Sequence, residues 1–212
     1  MQKPLTVFIL SLFSILIVFE ALPGNNNARI FRAVKQSIRK ELIKVDPPAP
    51  GKKIDVIYIL GGNQTSMELK SKTASEFFQK GMCNKIWIMS ISGITEYSKK
   101  LGRNWTKNEY AIKQLKESGI PKKNIELVKV QEKFFGTLSE AKDISSLIQQ
   151  KQFKSILLIA QPYHTHRVNI SFNKFLAGQN ISLYIQDSGE RMLLRHLMAE
   201  YIKFKIYQHF LI

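Results

Sequence analysis

Five short apolar runs punctuate this chain, at 54–60, 85–89, 125–130, 156–160 and 181–185, and each is followed by a stretch with helical spacing. Strand-length runs that alternate with helices imply consecutive β-α units, which close most readily as a parallel sheet. The first run, Ile54 to Leu60, is continuous and apolar except for Asp55, as expected of a strand covered on both faces. Helices are expected over 64–80, 106–118, 137–150, 164–176 and 191–210, with Gly81 and Gly119 as stops. The expected fold class is therefore α/β: a mostly parallel sheet of about five strands with helices on both faces. The stretch 94–105 reads as a longer irregular connection.

In such a fold the strand-to-helix loops converge at the carboxyl edge of the sheet, where ligands bind. Those loops contain Gly61-Gly62-Asn63, Ser92-Gly93, Gly136-Thr137, Tyr163-His164 and Asp187-Ser188-Gly189. Their glycines allow close backbone approach, and the helix N-termini behind them attract anions. The spacing is neither G-x-G-x-x-G nor a Walker motif, so a phosphate or carboxylate cradle of another kind is implied.

The run 155–160 delivers Tyr163, His164 and Arg167 to that edge. His164 and Arg167 are three residues apart and share one face of a first helical turn. Cations there oppose the helix dipole at up to about 1 kcal/mol each, a cost that a bound anion would offset. The alternative is structural: Arg167 pairs with a nearby carboxylate and His164 bonds backbone. His166 lies two residues from His164 and points elsewhere, so no metal site is expected. Thr106-Lys107-Asn108-Glu109 and Thr137-Leu138-Ser139-Glu140 both fit the T-x-x-E capping box. Both also stand at the ligand edge, so Glu109 and Glu140 join His164 as candidate catalytic groups. Ser92 lacks the G-x-S-x-G elbow of a serine hydrolase.

The amino terminus sets the expected address. Pro4 to Leu22 is nineteen residues without a charge until Glu20, long enough at 1.5 Å per residue to cross a hydrocarbon core of about 30 Å. Phe19-Glu20-Ala21 is a poor cleavage site, so 1–27 is read as an uncleaved anchor and spacer. Residues 28–53 read as a basic amphipathic helix, with Ile30, Val34, Ile38 and Leu42 on one side, and a Pro-rich linker; 54–212 form the α/β domain. Arg29, Arg32, Lys35, Arg39 and Lys40 after the span favour a cytoplasmic domain. With 32 Lys+Arg against 16 Asp+Glu the net charge is +16. No zinc finger, RNA-recognition signature or arginine-rich run accompanies it, so membrane lipid, not nucleic acid, is the expected partner. The one cysteine, Cys83, rules out an intrachain disulfide and is expected to be buried.

Taken together the motifs resemble the YdcF/SanA/ElyC-like family. The matching pieces are Leu60-Gly61-Gly62, then Lys70 with Ala74 and Phe78 ahead of Gly81, then Ser92-Gly93. After them come Asn108-Glu109-Tyr110-Ala111 with Gly119-Ile120-Pro121, the block from Gly136 to Ala141, and Tyr163-His164-Thr165-His166-Arg167. The likeness spans about residues 54–210 and rests on the order of these pieces. Lys70 stands where the family usually has Arg, and Leu138-Ser139-Glu140 replaces its commoner x-Glu-Asn. The resemblance implies a Rossmann-like, three-layer α/β/α domain behind an N-terminal transmembrane helix in the bacterial inner membrane. It also implies an extracytoplasmic domain with a part in envelope or peptidoglycan metabolism. The expected ligand is a phosphorylated small molecule or lipid-linked metabolite, which a hydrolase or transferase would process. The competing expectation is a non-enzymatic membrane-associated module with a vestigial cleft.

Overall fold

The computed structural model describes residues 25–131, 136–189 and 194–212. The apolar segment from Pro4 to Leu22, the aromatics Phe134 and Phe135, and the start of the expected closing helix lie outside them. Among the described residues no helix is long and apolar enough to cross a membrane. The chain divides into two compact units, Met1–Lys40 and Glu41–Ile212. Helix α1 (Asn25–Leu42) supplies the described part of the first, and Arg39 and Lys40 in its last turn suit the negative end of its dipole.

The second unit is built on five parallel strands, β1 (Val56–Ile59), β2 (Ile86–Met89), β5 (Ile125–Val128), β6 (Ser155–Ala160) and β7 (Ser182–Asp187), in the order β5-β2-β1-β6-β7. Helices α2 (Gln64–Gln79) and α3 (Lys107–Glu117) cover one face; α4 (Gly136–Gln150) and α5 (Thr165–Leu176) cover the other. The pleat of β1 explains its unbroken hydrophobicity. Ile57 and Ile59 pack with Met67, Ala74 and Leu115, while Val56, Tyr58 and Leu60 pack with Ile144, Val168 and Phe172. The polar interruption, Asp55, clamps the amino edge. Its carboxylate accepts from the backbone N–H of Lys154 (2.7 Å) and Ser155 (2.8 Å), which fixes the register of β6 on β1.

The stretch expected to be an irregular connection is an antiparallel hairpin, β3 (Ile94–Ser98) and β4 (Arg103–Thr106). Two features hid it: a bulge between Ile94 and Tyr97 breaks the two-residue alternation, and the turn is Lys-Lys-Leu-Gly. Gly102 closes that turn at φ +65°, which a side chain rarely tolerates. The chain ends in α6 (Leu194–Ile206) and a π-helical turn, Tyr207–Leu211. The segment after Lys40 belongs with the sheet, since Asp46 forms an antiparallel bridge with Ile185.

Candidate functional site

The sheet order creates a switch point. From β1 the chain moves outward to β2 and β5, then crosses back to β6 on the other side of β1. The loops after β1 and β6 therefore leave toward helices on opposite faces, α2 and α5, and in sheets of this order the ligand crevice is expected between them. Gly61, Gly62 and Asn63 stand on one side of it; Tyr163, His164 and Arg167 stand on the other.

On the β1 side Asn63 caps α2, its Oδ1 accepting from the Ser66 N–H at 2.9 Å. Lys70, only 1 % exposed, reaches back and donates from Nζ to the carbonyls of Leu60 (2.9 Å) and Gly61 (2.8 Å). A Cβ on Gly62 would stand 2.8 Å from that Nζ and 2.8 Å from Ser66 Oγ, so a side chain there would force one or both to move.

On the β6 side the chain makes a 3₁₀ turn, Pro162–His164, before α5 begins. Tyr163 is buried in the core, whereas His164 remains half-buried at the crevice. The Arg167 guanidinium donates from Nη1 to Thr137 Oγ1 and from Nη2 to Glu200 Oε2 at 2.8 Å, and lies 5.0 Å from the centre of the Tyr207 ring. Its Nε–H is buried with no acceptor among the described residues. Thr137 Oγ1 also meets His164 Nε2 at 3.1 Å. Arginine can only donate, so the threonine's own hydrogen is available to Nε2, which fits a ring protonated on Nδ1.

These partners correct two expectations. Thr137 does not cap a helix. It lies inside α4, its hydroxyl engaged by Arg167 and His164, while Glu140 accepts from the Tyr58 hydroxyl at 2.6 Å. Nor is His164 a second cation. Burial, then the charges of Arg167, Lys70 and Lys203, pull its pKa well below the usual value, so the ring is neutral near pH 7. Glu140 is shifted the other way: burial raises its pKa, against the Tyr58 hydrogen bond, the Gly61 N–H and the charges of Lys70 and Arg167. Burial also tends to raise Glu200, but Arg167 and Lys203 outweigh it and hold that carboxylate below its ordinary range.

The remaining sequence-derived residues fall elsewhere on the same edge. The Thr106–Glu109 capping box does form. Glu109 also takes a bidentate bond from Arg103, both contacts at 2.8 Å, and with the Thr106 N–H this holds its pKa down to about 2. A carboxylate so stabilised has little affinity for a proton, which removes it as a general base near neutrality. Ser92 and Gly93 are exposed at the foot of the hairpin, and Gly136 is exposed at the start of α4. His166 turns away from His164, its Nδ1 against the Glu41 carbonyl and its ring 4.5 Å from that of Phe204. No group of three metal-ligating side chains occurs among the described residues.

Three contributors went unassigned in the sequence: Tyr58, Glu200 and Tyr207. For Glu200 the signal was present, since Leu197, Glu200, Phe204 and Tyr207 recur at three- and four-residue steps and so share one helical stripe.

A pH dependence follows. The folded His164 pKa lies below its unfolded value of about 6.5, so the folded state binds fewer protons. Stability that is complete above pH 6.5 should fall as pH drops below it, by up to about 1.4 kcal/mol per pH unit. Thermal melts between pH 7.5 and 5 should show the parent losing stability relative to His164→Asn as the pH falls. An unchanged slope in the variant would place the titrating group elsewhere.

No protein-family model matches the chain, nor does any curated protein, so the geometry carries the functional reading.

Proposed function

We propose that this chain is a membrane-anchored protein of the bacterial inner membrane whose Rossmann-like domain binds a phosphorylated ligand between the carboxyl ends of β1 and β6. The ligand class is a nucleotide, a sugar phosphate or a lipid phosphate, used in envelope or peptidoglycan maintenance. The observation that carries the reading is the Arg167 Nε–H, a buried donor at the switch point without an acceptor among the described residues. An unsatisfied buried donor costs roughly 1–3 kcal/mol, and an anionic oxygen would recover it. The exposed Gly62 backbone and the neutral ring of His164 stand beside it. Lys70 and Arg167 keep the local field positive. If a phosphoryl group is hydrolysed or transferred there, Glu140, whose pKa burial raises, is the group better able to take a proton, and the neutral His164 ring serves to orient the ligand. The anchor and the envelope role rest on the Pro4–Leu22 segment and on the motif resemblance. The extracytoplasmic orientation rests on that resemblance alone and runs against the count of basic residues after the span.

The test is native mass spectrometry of the full chain extracted in detergent. A co-purifying adduct that contains phosphate, lost in His164→Ala and in Arg167→Ala, is the expected result. Retention of the adduct in both variants would refute the site.

One observation favours a second reading, a non-enzymatic module. Thr137, Glu200 and Tyr207 already hold most of the Arg167 guanidinium, as a purely structural arginine would be held. On that reading charge reversal at Arg32, Lys35 and Arg39 abolishes function in cells while His164→Ala leaves it intact.

A further inference from the structure

The β3–β4 hairpin has one face occupied and one face bare. Its register pairs Ile94 with Thr106, Tyr97 with Asn104 and Ser98 with Arg103. Cross-strand partners lie on one face, and Asn104 and Thr106 are two apart. The bulge therefore brings Ile94 and Tyr97, three residues apart, onto the same side. The opposite side faces α3. There Arg103 binds Glu109, Glu96 stands 3.8 Å from Lys113, and Lys113 lies 5.9 Å from the centre of the Trp105 ring. On the bare side Ile94 is 66 % exposed and Tyr97 62 %, and Leu101 in the turn is 39 % exposed. Ile94 and Tyr97 together make a small exposed apolar patch beside the turn.

The charges around this face have one sign. Lys99 and Lys100 form the exposed turn, and Lys107 lies at the other end beside Gly93, its Cε 3.3 Å from where a Cβ would stand. No ion pair among the described residues engages these three lysines, whereas Glu96 and Glu109 are turned to cations on the α3 side. Apolar side chains flanked by free lysines suit an anionic bilayer surface: tyrosine sits at the headgroup level, and lysines extend toward lipid phosphates. A second copy of this chain fits poorly, because its own hairpin would bring the same lysines and a net charge of +16.

We infer that the β3–β4 hairpin docks on anionic lipid, with Ile94, Tyr97 and Leu101 entering the interface and Lys99, Lys100 and Lys107 contacting headgroups. This rests on the membrane-anchored reading above, which holds the domain near a bilayer. The hairpin follows the end of β2, and a Cβ on Gly61 would lie 3.0 Å from Met89, the last residue of β2, and 3.6 Å from Ile91 in the loop between β2 and the hairpin. Docking therefore brings the mouth of the switch-point crevice beside the headgroups, within reach of a phosphate carried on a lipid.

The test uses the full chain in vesicles. Ile94→Cys takes a polarity-sensitive NBD label, while Cys83, 2 % exposed, stays unlabelled. Lys151→Cys, exposed in the turn before β6 at the amino edge of the sheet, serves as the control position. In vesicles of phosphatidylcholine with phosphatidylglycerol, the label at 94 should shift to the blue and be quenched by nitroxide acyl chains, and the label at 151 should do neither. Adding Lys99→Glu and Lys100→Glu should abolish the shift without preventing flotation. A chain that floats with an unshifted label at 94 on both phosphatidylcholine and mixed vesicles overturns the docking, assigns the patch to a protein partner and leaves the anchor standing. An equal shift on both vesicle types overturns the anionic preference. A chain that does not float overturns the anchor and the docking together.

Discussion

Glu200→Ala should lower the unfolding free energy by about 3–5 kcal/mol, the range for removing one partner of a buried ion pair. The reason is what stays behind. Arg167 is 7 % exposed and cannot lose its proton, and Nη2 would have no acceptor in place of the Glu200 carboxylate. Urea denaturation followed through the fluorescence of buried Trp87 would read the loss. Arg167→Met with Glu200→Leu should recover most of it, because two apolar side chains remove the unpaired charge instead of exposing it. Lys203 bridges to the other carboxylate oxygen at 2.8 Å but is largely exposed, so Lys203→Ala should cost less than about 1 kcal/mol. A loss below 1 kcal/mol in Glu200→Ala would mean that Arg167 finds another acceptor, and would strengthen the reading of its guanidinium as a mobile anion-binding group.

The strands and their sheet were legible because the apolar runs at β1, β2 and β6 contain residues for two cores at once, and no other arrangement buries both sides. The convergence of Gly61-Gly62 with His164 and Arg167 followed from topology. What those groups do there was not legible. The T-x-x-E spacing at Thr106 and Thr137 is identical, yet one box forms and the other does not. Local hydrogen bonds won where Glu109 faces solvent and Arg103. Long-range partners won at α4, where burial makes an unsatisfied Arg167 or Tyr58 more expensive than a forgone capping box. The protonation of His164 was not legible for a related reason: its neutrality depends first on burial, then on Arg167 and on Lys70, which approaches from another helix. Charged residues in helices read by default as solvated, which hid Glu200 and left Lys70 noticed only through a motif. Spacing could have corrected this, since Met67, Lys70, Ser71 and Ala74 form one buried stripe of α2.

Lys70→Met should be nearly as severe as Glu200→Ala, at about 3–4 kcal/mol, although its volume and flexibility are close to those of lysine. Two carbonyls, Leu60 and Gly61, lose their donor at the turn where β1 meets the crevice. Glu140 also loses the nearby positive charge that helps to keep its proton off. The second effect has its own signature. The folded pKa of Glu140 already lies above its unfolded value, so the folded state binds more protons across that window, and stability falls as pH rises through it. Without Lys70 the folded pKa rises further and the fall continues to higher pH. Melting temperatures of Lys70→Met should therefore improve relative to the parent as the pH is lowered from 7.5 toward 5. Glu140→Gln in the Lys70→Met background should remove that relative improvement, because the amide holds a hydrogen bond with Tyr58 and does not titrate. If the double variant keeps the pH slope of the single one, Lys70 acts through the two carbonyls alone. Glu140 and Lys70 would then be separate structural groups rather than one electrostatic unit beneath the ligand crevice.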